Sequence, residues 1–84
     1  MKLKLNEWNI ACEYANVICE NLKDKGYSVK AKPYSLYDER KGIYLQVFDN
    51  YGHFFTQYAT GIHEDLTDMK NAIDTMARKI TLEC

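Results

Sequence analysis

The hydrophobic pattern of this chain changes period twice, and those changes limit what it can fold into. Trp8, Ala11, Cys12, Ala15, Ile18, Cys19 and Leu22 recur every third or fourth residue, the spacing of one helix face. From Tyr27 the apolar residues alternate with polar ones, the spacing of a strand with one side buried. After Gly61 the helical period returns with Ile62, Leu66, Met69, Ile73, Met76, Ala77 and Ile80. A chain with this order is expected to be α-β-β-β-α.

Local signals set the boundaries. Asn6 is a candidate N-cap, and Gly26 offers a left-handed stop behind Lys23 and Lys25, so the first helix is expected over residues 7–25. Tyr27 to Lys32 reads as the first strand, ended by Pro33, and Tyr34 to Gly42 as a polar loop. Ile43 to Phe48 and His53 to Thr60 read as the second and third strands. Between them, Asp49-Asn50-Tyr51-Gly52 has Asp first and Gly fourth in a type I turn, with Gly52 free to take a left-handed bulge. In the second helix His63, Glu64, Asp65 and Asp68 fall in the first two turns and Arg78 and Lys79 in the last.

That turn sets residue 49 opposite 53, and an unbroken ladder then sets 48 opposite 54, 46 opposite 56 and 44 opposite 58. One face is expected to carry Ile43, Leu45, Val47, Phe55 and Ala59. The other carries Tyr44, Phe48, Phe54 and Tyr58, with Gln46 and Thr56 between them. An apolar helix stripe must bury itself against another element. The fold class is therefore α+β: a three-stranded antiparallel meander with both helices packed on its aliphatic face and the aromatic face open. The 84 residues suffice for one domain, taken as 1–84.

Charge and cysteine content narrow the function. Eleven Lys+Arg against twelve Asp+Glu give a net charge of −1, without the basic excess that nucleic-acid binding draws on. Cys12, Cys19 and Cys84 are an odd set with no CxxC spacing, so neither a disulfide framework nor a zinc site is expected. Cys12 and Cys19 read as small buried hydrophobes, and Cys84 as an exposed thiol. The N-terminus lacks a continuous apolar leader, and no stretch nears the ~18 apolar residues of a membrane span. A reducing, cytoplasmic setting is expected, in a host's cytosol if the chain is phage-encoded.

Several constellations bear on function. The aromatic face, flanked by Lys30 and Lys32, is expected to be a docking surface or a homodimer seam, since exposed aromatic patches mark interfaces. The loop with Tyr34, Tyr37, Asp38 and Glu39, and Tyr51 at the turn, add interface-like residues. Glu64, Asp65 and Asp68 read as acids that suit a helix start. His53 and His63 have no triad, HExxH or phosphate-loop context, and His63, Glu64 and Asp68 do not share one helix face. The expectation is a non-enzymatic binder without metal or cofactor.

The α-β-β-β-α order is similar to that of double-stranded-RNA-binding domains, and the likeness spans most of the chain. That family opens its last helix with a Lys-Lys-x-Ala-Lys cluster, where this chain has Ile62-His63-Glu64-Asp65-Leu66-Thr67-Asp68-Met69-Lys70, acidic where the family is basic. The layout carries over and the RNA-contacting residues do not. In size, layout and tyrosine-rich, near-neutral composition the chain also resembles small phage inhibitors of the anti-CRISPR kind. That resemblance implies stoichiometric binding to a CRISPR effector, keeping target DNA from being bound or cut. The alternatives are an RNA-binding module and a small homodimeric structural protein.

Overall fold

A computed structural model describes residues 3–36 and 40–83 of the chain. Helix α1 (Leu5–Asp24) is followed by strands β1 (Ser28–Ser35), β2 (Lys41–Phe48) and β3 (Phe54–Ala59), and helix α2 (Leu66–Glu83) closes the order. The sheet is antiparallel with β2 in the centre. Tyr37, Asp38, Glu39 and Cys84 lie outside the described residues.

Helix α1 begins two residues earlier than the Asn6 cap implies. The Trp8 amide reaches the Lys4 carbonyl at 2.9 Å, and Glu7 Oε1 accepts the Lys4 amide at 3.1 Å. At the other end Gly26 takes φ +96°, its amide bonds Lys23 and the Tyr27 amide bonds Leu22. That double bond is a Schellman stop, and only a residue tolerant of positive φ makes it cheaply. For α2 the cap is Asp65, whose Oδ1 accepts the Thr67 amide at 2.7 Å. Ile62 and His63 therefore precede the helix. The helix also runs on to Glu83, which leaves Arg78 and Lys79 short of its last turn.

Both helices lie on one side of the sheet, as expected. The core joins Trp8, Ala11, Ala15, Cys19 and Leu22 of α1 to Met69, Ile73, Met76 and Ile80 of α2, over Ile43, Leu45 and Val47 of the central strand. Val29 and Ala31 of β1 are half-buried beside it. Across the helix pair, Tyr14 donates to Asp74 Oδ1 at 2.5 Å, and Lys70 Nζ stands 4.9 Å from the Tyr14 ring centre. Among the described residues, one polar residue, Thr60, is buried with the core. Thr60 accepts the Ile43 amide on Oγ1 at 3.0 Å, donates a hydrogen bond from that hydroxyl to the Gly61 carbonyl, and accepts one from His63 Nε2 on its own carbonyl.

The end of β1 and the start of β2 also move, for a physical reason. Pro33 does not end β1; the strand continues through Tyr34 to Ser35, paired with Gly42 and Lys41. β1 is an edge strand, where an absent amide proton need not break a ladder. Residues 34, 35, 41 and 42 therefore belong to strands, and just beyond them the Leu36 amide meets the Arg40 carbonyl at 2.8 Å.

Candidate functional site

The turn between β2 and β3 forms as its sequence requires. Gly52 takes φ +83° and its amide meets the Asp49 carbonyl at 3.1 Å, while Asp49 and His53 pair at 2.8 Å. Asp49 Oδ1 holds the turn from inside, accepting the Tyr51 and His53 amides at 2.9 and 2.8 Å. The first rung beyond it, Phe48 with Phe54, is the expected one.

After that rung the ladder slips. A β-bulge between Val47 and Phe48 sets Val47 opposite Thr56, Gln46 opposite Gln57, Leu45 opposite Tyr58 and Tyr44 opposite Ala59. A bulge inserts one residue, and a one-residue shift exchanges the two faces of a strand. Tyr58 is therefore not on the open face beside Tyr44. It stands with Leu45 on the helix side, half-buried, and its hydroxyl donates to Glu83 Oε2 at 2.6 Å. Thr56 moves to the helix side with it, and Ala59 moves to the open side as an exposed residue. Phe55, expected against the helices, is instead 62% exposed.

The open face that results is a continuous array. Tyr34 stacks on Tyr44, ring centres 4.3 Å apart, and covers Gly42 of the neighbouring strand. Phe48 and Phe54 meet edge to face at 6.2 Å, with Lys30 Nζ 5.5 Å from the Phe48 ring centre. Gln46 and Gln57 bridge the two aromatic pairs through a 3.3 Å hydrogen bond. Lys32 lies opposite Tyr44 on the same face. Burial holds the Tyr34 phenol above its ordinary pKa, the Tyr44 hydroxyl adds to that, and a hydrogen bond from the Gly61 backbone works against it.

Of the residues assigned to partner binding, Tyr44, Phe48 and Phe54 come together, and Tyr34 joins them from a strand rather than from a loop. Tyr51 stands apart at the turn, 87% exposed, its ring 6.5 Å from that of His53. Tyr58 is on the opposite side. Tyr37, Asp38 and Glu39 fall outside the described residues. Phe55 was the missed residue, and the adjacent aromatics Phe54 and Phe55 are its only sequence signal, since strict alternation cannot keep both out of the core. The acids Asp49 and Asp65 spend oxygens on backbone amides of their own chain.

Cys12 and Cys19 sit on the buried side of α1. Burial raises the Cys12 thiol with Lys41 pulling it back, and pushes Cys19 up to about 11. Among the described residues no group of three or more His, Cys, Asp or Glu is arranged to hold a metal ion, and no helix is long and apolar enough to cross a membrane. Comparison of the chain with protein-family models, with curated proteins and with solved structures returns no match.

Proposed function

We propose that this protein is a non-enzymatic binding domain that docks another protein on its open sheet face and acts by occupying it. The observation that supports this is the Tyr34–Tyr44 and Phe48–Phe54 array with no helix over it. Ordered aromatic rings present much apolar area at little entropic cost on docking. In its narrower form the reading is a stoichiometric inhibitor of the anti-CRISPR kind, acting in the cytosol of a phage-infected host and blocking a CRISPR effector. That form rests on size, layout and composition.

The test is direct titration of the purified protein against purified CRISPR effector complexes, with and without nuclease treatment. Saturation near one to one that survives nuclease, and is lost in a folded Tyr44→Ala/Phe54→Ala variant, is the expected result. Binding that persists in that variant removes the face from the mechanism.

Lys30 over the Phe48 ring and Lys32 beside Tyr44 favour a second reading, an RNA-binding module that stacks bases on this face. It requires affinity for single- or double-stranded RNA that falls steeply with salt. A flat titration at low salt excludes it.

A further inference from the structure

The two edges of the sheet are built differently. β1 carries Lys30, Lys32 and Pro33, features that discourage a further strand from pairing there. β3 reads Phe54-Phe55-Thr56-Gln57-Tyr58-Ala59, with no charge and no proline. Phe54 and Phe55 are 56% and 62% exposed, and Gln57 and Ala59 are exposed as well.

The ladder also shows which backbone groups face outward. The Thr60 amide points inward to Ile43 at 2.9 Å, so by alternation Tyr58 and Thr56 also face β2. Gln57 and Ala59 then turn their amides and carbonyls away from the sheet. Among the described residues no loop, turn or cap backbone hydrogen bond reaches them.

We propose that β3 pairs with the β3 of a second copy of this chain, antiparallel about a two-fold axis at Gln57, joining the two three-stranded sheets into one. The strand is compatible with itself in this register, which is the reason for a second copy as the occupant. A two-fold sets Gln57 against Gln57 of the second copy, Thr56 against its Tyr58, and Phe55 against its Ala59. No rung holds two like charges, and one sets a large residue against a small one. The same operation on β1 about Ala31 would set Lys30 against Lys32 of the second copy, a destabilising pair. The outward groups of Gln57 and Ala59 gain partners, and an isologous pairing closes after two chains. The pairing uses the edge and leaves the open face free, so it stands apart from the docking reading above.

A single strand pair is a small interface, so the association is expected to be weak. Sedimentation velocity up to about 300 µM should show the mass rising from 9.8 kDa towards twice that value. Gln57→Lys puts like charges on the axis and should raise the dissociation constant about tenfold, with the circular dichroism of the wild type. Tyr44→Ala, on the face, should leave it unchanged. Hydrogen exchange gives a reading independent of any variant: protection of the Gln57 and Ala59 amides should grow with protein concentration. A mass that stays monomeric overturns the proposal. So does a dimer that Gln57→Lys does not weaken, or one that leaves those two amides equally exchangeable at all concentrations.

Discussion

The ring of Tyr34 lies over the backbone of Gly42 so closely that a methyl group at position 42 would fall inside the ring's van der Waals surface. Glycine is weak in the middle of a strand because it costs entropy and packs nothing. Here the aromatic side chain from the opposite strand covers the gap, and the same ring continues the stack onto Tyr44.

Gly42→Ala is accordingly expected to destabilise the protein by about 1–3 kcal/mol, the usual cost of overpacking. The same change in a Tyr34→Ala background should be neutral or stabilising, because the clash is gone and alanine suits a strand better than glycine. Urea unfolding of the four proteins in the cycle measures this. Equal costs in both backgrounds would mean that the two residues are not coupled.

Tyr14 gives a pH signature. Its hydrogen bond to Asp74 raises the phenol above its ordinary value of 10.0, with burial and the Asp74 charge adding to the rise. A raised folded-state value means stability fully present below pH 10 and lost as pH climbs through the raised value. Tyr14→Phe should cost about 0.5–1 kcal/mol at pH 7. The deficit should fade above pH 10. A deficit that does not change with pH would detach it from the Asp74 bond.

Cys19 should resist alkylation in the native state. Its thiol is buried and pushed up to about 11, so little thiolate exists at pH 8. Iodoacetamide followed by peptide mass mapping should find Cys19 unmodified until denaturant is added. Rapid native labelling at Cys19 would show that the end of α1 opens far more readily than its packing implies.

Tyr44 and Tyr58 should behave as opposites. Tyr58→Phe removes the bond to Glu83 and is expected to cost at most about 1 kcal/mol, without touching partner affinity. Tyr44→Ala removes half of the Tyr34 stack and should abolish docking. Paired affinity and unfolding measurements separate the two, and a loss of binding in Tyr58→Phe would place the docking surface on the helix side.

The parts of the fold legible in the sequence are those that depend on period and on glycine. The stripes of α1 and α2, the Gly26 stop and the Asp49–Gly52 turn each follow from local stereochemistry, and all are present. Ile43, Leu45 and Val47 name the buried face without ambiguity. What the sequence hid depends on non-local pairing. Pro33 was harmless because β1 is an edge strand, and strand order is not written in a proline. The slip at Phe55 had one faint signal, the Phe54-Phe55 pair, because Thr56-Gln57 is polar in either register and Tyr58 with Ala59 fits either side. Of the four aromatics expected on the open face, Tyr44, Phe48 and Phe54 stand there, because they belong to β2 or to the rung next to the turn. Tyr58 was lost because it lies beyond the slip.

That single extra residue acts as a phase setting for the strand it interrupts. With it, Tyr58 reaches back to the end of α2 and ties the last turn of the chain to the sheet, while the small Ala59 is turned outward near Tyr44. Without it, the same letters would offer a tyrosine to the outside and leave Glu83 untied. The outer surface and the anchoring of the C-terminal helix are thus settled together, by one position in the strand between them.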